Sequence, residues 1–312
     1  MEAKRKLFFF GAFIGLVLVF SFLFSLPDGK LHVVFCNVGQ GDAIYLRFPD
    51  GTDGLIDGGP NERVLECLGK HLAFWDRKIE IVILTHPQAD HLNGLIEVLK
   101  RYEVNLFSAP LAGNKTEGYK KLLEQIKLKN INFQNFYRGD KIRFQKVAGE
   151  TLEVSFIWPE RMWAEENAGS EKTTAFLQNS KHVLGAAIIH GDLNDFSQTL
   201  VLTFGDFDLL LSGDLEKDYL LKALNEEKGK INLPIEVLKV SHHGAKNALN
   251  SEILDLIKPS LAVISVGKNS YGHPNPLTLD LLKENRVQVL RTDEKGDIEI
   301  VTNGKSWEIK NK

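Results

Sequence analysis

A chain of 312 residues with 43% hydrophobic and 25% charged side chains has ordinary globular composition, long enough for one large α/β domain or two small ones. Its formal net charge of -3 supplies no global attraction to nucleic acid, so such a partner has to be met by a local basic patch. The only cysteines, Cys36 and Cys67, exclude a cysteine-built zinc site and a disulfide scaffold, and are compatible with one disulfide.

Residues 1–6 form a basic flank containing Lys4, Arg5 and Lys6, and residues 7–26 carry no charge. That is the length, about 20 residues, that a helix needs to cross a bilayer. The positive flank predicts a cytoplasmic N-terminus, which places everything beyond the anchor outside the cytoplasmic membrane. A cleaved signal peptide and secretion form the competing reading, although Phe24-Ser25-Leu26 is a poor small-residue cleavage site. Pro27-Asp28-Gly29 breaks the helix, so residues 27–30 are a linker and residues 31–312 the folded domain.

Alternating apolar residues predict a first strand over Leu31 to Val38, running into Asn37-Val38-Gly39-Gln40-Gly41-Asp42-Ala43. The two glycines there imply a loop whose backbone comes close to another group. Ile44 to Phe48 is the next strand, and Gly54-Leu55-Ile56 another that ends on Asp57, either a turn aspartate or a group that orients a ligand. A helix around Glu62 to Phe74 follows. Then comes I-E-I-V-I-L-T-H-P-Q-A-D-H-L-N-G-L from Ile79 to Leu95, where the apolar run Ile81 to Leu84 stops at Thr85 and His86, Asp90 and His91 follow at once. A strand buried on both faces is a rigid mount, and imidazole and carboxylate at its end suit zinc or manganese. The spacing predicts two ions.

A helix from about Asn93 to Arg101 and a Lys-rich helix from Lys115 to Lys129 come next. Arg138, Lys141, Arg143 and Lys146 follow on a hairpin, and this basic region reads either as a solvated charged face or as a phosphate-binding wall. Trp158 to Lys172 reads as a polar loop, with Trp158, Trp163 and Phe176 in the core or stacking on a base. Beyond it, Leu200 to Phe204 and Phe207 to Leu211 form a hairpin that delivers Ser212-Gly213-Asp214. A helix spans Lys217 to Glu226. Strand Ile235 to Val240 ends in Ser241-His242-His243-Gly244, strand Leu261 to Ser265 opens into Gly267-Lys268-Asn269-Ser270-Tyr271-Gly272-His273-Pro274, and short strands fill Val287 to Ile309. Polar, ligand-type residues recur at strand ends, which implies one shared rim of a sheet.

These segments resemble the metallo-β-lactamase superfamily, and within it the hydrolase domain of ComEC-type DNA-uptake proteins. The matching stretches are V-G-Q-G-D-A (38 to 43), L-I-D-G-G (55 to 59), L-T-H-P-Q-A-D-H-L-N-G-L (84 to 95), N-D-F-S (194 to 197), S-G-D-L-E (212 to 216), L-K-V-S-H-H-G-A-K (238 to 246) and I-S-V-G-K-N-S-Y-G-H-P (264 to 274). The resemblance implies a four-layer αββα sandwich with two divalent ions, zinc or manganese, at one edge of the sheets. It implies His86 and Gln88 at the first ion, Asp90 and His91 at the second, Asp214 bridging, and His242 as the late histidine with His243 as its substitute. Asp90, Asp214, His243 and Lys246 become the candidate catalytic groups. Gln40, Asp42, Asp57, Asn194, Asn269 and His273 are expected behind the ligands or facing substrate.

The chain departs from the family pattern at Gln88, where the family has His or Asp, so the first ion should be held more weakly. Asn37 stands where an aspartate is usual. The third-motif ligand is either Asn194 or His190. The implied activity is that of a phosphodiesterase or nuclease acting on DNA outside the membrane, the ions lowering the pKa of the attacking water. Two alternatives stand beside it: hydrolysis of another ester, lactone or cell-envelope substrate on the same fold, and a tethered binding module with a depleted metal site.

Overall fold

The alternating and continuous apolar runs assemble into two mixed sheets laid face to face. The structure, a computed structural model, describes residues 5–6, 9–13, 15–16, 26–144, 146, 149–168, 177–178, 183–184, 187–188 and 191–310. The expected anchor over residues 7–26 falls largely outside them, as do His190 and Phe176; residues 9–13 are helical. No helix among the described residues is long and apolar enough to cross a membrane.

The first sheet has eight strands in the order Trp307–Lys310, Ile298–Thr302, Leu31–Phe35, Ile44–Arg47, Asp53–Ile56, Lys78–Ile83, Glu103–Ser108 and Asn132–Gln134. Pairing is antiparallel as far as Asp53–Ile56 and parallel from there on. The second sheet has seven, in the order Gln288–Arg291, Leu261–Ile264, Val237–Lys239, Phe207–Leu211, Thr199–Phe204, Leu152–Trp158 and Lys141–Arg143, again parallel on one side and antiparallel on the other. Val33, Phe35, Ile56 and Ile83 of one sheet share a buried core with Phe156, Leu202, Leu211 and Val263 of the other.

Outside the first sheet, helices Arg63–His71, Ala89–Arg101 and Glu117–Leu128 bury Leu68, Leu95, Val98 and Leu122 against Val34, Leu55 and Val82. Outside the second, Lys217–Glu226, Ser251–Ile257 and Pro276–Glu284 bury Leu220, Ile253 and Leu282 against Val201, Leu210 and Ala262. The expected sandwich of two sheets with helices outside is therefore what forms, each helix hiding one apolar stripe as its spacing requires.

Two local expectations change, and a third, left open by the sequence, is settled. The helix carrying the H-P-Q-A-D-H run starts at Ala89 rather than near Asn93, with Gln88 as its extended N-cap residue. Asp90 and His91 thus lie in the first helical turn, where backbone N–H groups favour a carboxylate. Trp158 to Lys172 is not a loop throughout: Trp158 ends a strand, fully buried, with Nε1 donating to the Asp195 carbonyl at 2.7 Å, and Arg161–Asn167 is helical. The third concerns Cys36 and Cys67, which are joined in a disulfide that ties the end of the first strand to helix Arg63–His71.

Candidate metal centre

Strand Lys78–Ile83 is buried over its last three residues and hands directly to Thr85 and His86, both buried. His91 is held from behind by Asp57, whose Oδ2 lies 2.8 Å from His91 Nδ1. Asp57 is fixed in turn by Thr85, which donates its N–H and its hydroxyl to the two carboxylate oxygens, each at 2.7 Å. Asp57 has left-handed backbone, φ 59°, a conformation that aspartate tolerates better than most residues. The glycines of V-G-Q-G-D have the close approach expected of them: a Cβ on Gly41 would meet the Asp90 carbonyl at 2.2 Å, and Asp42 donates its N–H to that same oxygen at 3.2 Å. The first loop is thereby pressed onto the ligand-bearing helix turn.

The second sheet brings the other half. Asp214 follows strand Phe207–Leu211, and its N–H donates to Ser197 Oγ at 3.1 Å. Ser197 Oγ also lies 3.3 Å from His86 Nδ1, with Thr85 Oγ1 at 3.1 Å from the same nitrogen. After strand Val237–Lys239 the chain turns through two consecutive left-handed residues, His242 (φ 47°) and His243 (φ 53°), then Gly244 (φ 78°). This turn corrects the choice between the two histidines. It is His243 that enters the centre, with Nδ1 2.8 Å from the Ser265 carbonyl, whereas His242 packs edge-on against His273 with ring centroids 5.4 Å apart. Left-handed conformation at two adjacent non-glycine residues costs on the order of 1–3 kcal/mol each and persists where the surroundings demand it.

One ligand atom from each of Asp90, His91, Asp214 and His243 lies within 4.8 Å of all the others. Asp214 Oδ2 is 3.3 Å from Nε2 of both His91 and His243, and Asp90 Oδ2 is 3.3 Å from His243 Nε2. Nε2 of His86, His91 and His243 is buried without a hydrogen-bond partner, while Nδ1 of each ring is engaged. Two imidazoles oriented from behind with Nε2 facing carboxylates, and a third ring 4.2 Å from that of His91, fit a divalent cation. Zinc and manganese both accept this donor set.

In the ion-free chain, protons stand in for the cation. Burial opposes charge on His91, yet the carboxylates of Asp214, Asp57 and Asp90 hold it protonated well above the usual histidine range. His243 rises to about 10 against burial, through Asp214 and Asp42. Asp214, despite burial, is held well below the usual carboxylate range by His243, His91 and Lys239. His86 falls to about 3, chiefly by burial and then by the positive His91, so it is a neutral imidazole available as a ligand.

Lys239 is the residue that the sequence reading passed over. Its side chain is fully buried, its ammonium donates to the Gly213 carbonyl at 2.7 Å, lies 3.4 Å from Asp214 Oδ1, and contacts Asp42 Oδ2. The signal was present: a lysine inside the apolar strand run Ile235 to Val240 has to find buried anions.

The remaining candidates divide. Gln88 donates its amide to Asn194 Oδ1 at 2.8 Å, so these two residues meet beside His86. Gln40 Oε1 accepts from Gly267 N–H at 3.3 Å and joins two loops at the rim. Asn269 does not face outward, since its amide donates to the Gly267 and His273 carbonyls and its oxygen accepts from the N–H groups of Tyr271 and His273. Lys246 is exposed, outside the cluster. Part of the basic region is ion-paired: Lys120 pairs with Glu117, Lys141 and Arg143 share Glu153, and Arg138 meets Glu226 and Glu160, while Lys121, Lys127 and Lys146 are exposed.

Comparison with known proteins agrees with the fold. The chain is 26% identical over 301 residues to ComE operon protein 3 of Bacillus subtilis, covering 91% of this chain and 34% of that protein. It is 30% identical over 109 residues to Competence protein ComA of Neisseria gonorrhoeae, covering 35% of this chain and 16% of that one. The chain thus spans about a third or less of the length of these relatives. The structure of Igni18, a novel metallo hydrolase from Ignicoccus hospitalis, is 14% identical with a TM-score of 0.49, covering 86% of this chain and 98% of that one. Residues 36–268 match the family model of the metallo-β-lactamase superfamily, a span that runs from the disulfide cysteine of the first strand to the rim loop after Gly267 and takes in every candidate ligand, and to that superfamily the chain belongs.

Proposed function

We propose that the chain is a metal-dependent phosphodiesterase that cleaves nucleic acid outside the cytoplasmic membrane. The observation that carries this reading is the convergence of the buried Nε2 atoms of His91 and His243 on the carboxylates of Asp90 and Asp214, with the His86 ring beside that of His91. A divalent ion held there supplies Lewis-acid activation of water and stabilises charge on phosphoryl oxygens. Asp90, His91, Asp214 and His243 hold it, and His86 with Gln88 forms a weaker second position, because a neutral amide adds no charge to the attraction.

The chain's own residues do the rest. Asp57 and the Ser265 carbonyl fix the rings of His91 and His243, and Ser197 links His86 to Asp214, so the donor atoms are in place before a cation arrives. Lys239 holds Asp214 and Asp42 from the protein side and keeps water from competing for them. Asp90 is the one partly exposed member of the group and therefore marks the mouth, and His273, within electrostatic reach of Asp214 and Asp90, is the side chain proposed to meet phosphate oxygens, with the exposed Lys246 as a second candidate.

Two further facts support the substrate class and the compartment. The relatives include a protein named for competence, and a buried disulfide persists in oxidising surroundings, in keeping with a domain beyond the membrane and an anchor at residues 7–26. Hydrolysis of another ester or lactone is the second reading, favoured by the pairing of Arg138 with Glu226 and of Lys141 and Arg143 with Glu153, which reduces the charge available to grip a duplex.

The test is metal content with activity, on the full chain. Zinc and manganese are measured after purification, and single-stranded DNA, double-stranded DNA, bis-p-nitrophenyl phosphate and a lactone are offered to wild type and Asp214→Ala. Bound metal and Asp214-dependent cleavage of a phosphodiester are expected. Turnover of the lactone alone would select the second reading, and fewer than about one ion per chain without turnover would leave a binding module.

A further inference from the structure

The loop Gly267 to Pro274 is tied by its own hydrogen bonds and presents an aromatic ring to solvent. Asn269 binds it across four hydrogen bonds, two donated by its amide and two accepted by its oxygen. A Cβ on Gly244 would meet Pro274 at 2.8 Å, Gly244 accepts from Asn275 N–H at 2.8 Å, and Thr278 Oγ1 donates to the Ala245 carbonyl at 2.7 Å. The loop is thereby clasped to the turn that carries His243.

On this hydrogen-bonded mount Tyr271 is 74% exposed. Its ring lies against His273, centroids 5.8 Å apart and planes tilted by 33°, and His273 meets His242 at 5.4 Å. His242 and His243 are adjacent, and His243 reaches His91 at 5.4 Å, so a row of rings leads from the exposed tyrosine to the buried centre. Nδ1 of both His242 and His273 is buried without a partner. The chain therefore holds an exposed tyrosine ring on a histidine that is itself linked through His242 to the turn carrying His243.

We propose that Tyr271 is a stacking platform for an unpaired nucleobase of the substrate, with His273 as its support; this rests on the phosphodiesterase reading above. A base stacks on an aromatic ring whatever its sequence, whereas the bases of a duplex are already stacked and unavailable. The acidic centre offers a phosphate backbone no attraction of its own, so ring stacking beside it adds a hold that does not depend on backbone charge. Single strands should accordingly bind in preference to duplex. Tyr271 selects and positions substrate and does no chemistry.

The experiment is binding without turnover, on the ion-loaded full chain. Anisotropy compares a hydrolysis-resistant phosphorothioate oligothymidylate with an abasic phosphorothioate strand of equal length. Wild type should prefer the base-bearing strand, and Tyr271→Ala should weaken that binding by about 5- to 100-fold, the range for one base on one ring, with the abasic strand unaffected. Tyr271→Phe and Tyr271→Trp should restore it. Equal binding of both strands by wild type, or an unchanged preference in Tyr271→Ala, overturns the proposal. The truncation removes an exposed side chain and leaves the core intact. Base-dependent, Tyr271-dependent binding without phosphodiester cleavage would overturn the phosphodiesterase reading and sustain this one; cleavage with Tyr271-independent binding would do the reverse.

Discussion

The ammonium of Lys239 lies 3.4 Å from Oδ1 of Asp214 and contacts Asp42, all three side chains being buried. Lys239→Met keeps the volume and removes the charge, leaving two buried carboxylates short of a partner. Breaking a buried pair in this way costs about 3–5 kcal/mol, so the metal-free chain should melt well below wild type. A bound divalent cation compensates part of the lost charge, so the gap should narrow when ion is added. Thermal melts with chelator and with excess zinc or manganese measure both effects, and an equal gap in the two conditions would refute the assigned role.

Asp57 reaches the cation only through His91. Asp57→Asn keeps the shape but loses the charge that orients and polarises the ring, and such partners behind a ligand are worth about 10- to 100-fold in metal affinity. Competition with a chromogenic chelator should show that loss with little change in the circular dichroism spectrum.

Gln88→Asp places a carboxylate beside His86 and Asn194. Affinity for a second ion should rise on the order of tenfold, because ligand charge sets the strength of such sites. Metal titration by calorimetry reads the stoichiometry directly. An unchanged isotherm would show that Gln88 does not limit the second position.

The metal-free centre has a definite pH signature. His243, raised to about 10, stabilises the fold fully below the unfolded value near 6.5, and that contribution is lost as pH rises from there through 10; His91, raised in the same direction, adds to it. Asp214 is depressed, so its contribution is present above the ordinary carboxylate range and lost as pH falls toward its folded value. Metal-free melts should therefore decline from pH 6.5 to 10. Cation affinity should increase over the same window, since the ion displaces the imidazole protons. Proton release on zinc binding, measured in two buffers of different ionisation enthalpy, checks this.

The disulfide closes a loop with a sequence separation of 31 residues. In the chain-entropy view its removal costs about 3–4 kcal/mol. Cys36→Ala with Cys67→Ala should lower the melting temperature and leave the ligand cluster, built from other residues, able to bind metal.

Much of this protein was legible in one dimension. Apolar runs ending on His or Asp located strand ends such as Leu84 to His86 and Leu211 to Asp214, because a buried strand needs continuous apolar side chains and the first polar group marks where it emerges. Motif order brought in the resemblance, and with it the sandwich and the candidate ligands Asp90, His91 and Asp214 that the folded chain brings together. Backbone conformation was beyond that reading: whether His242 or His243 faces inward depends on a left-handed turn whose dihedral angles are imposed by the packing of Gly244 on Pro274. So was charge pairing across long separations, which neutralised Arg138 and Lys141 and buried Lys239 between Asp42 and Asp214. Periodicity reports which side of an element is apolar; only the packed sheets decide which polar groups from distant strands become each other's surroundings.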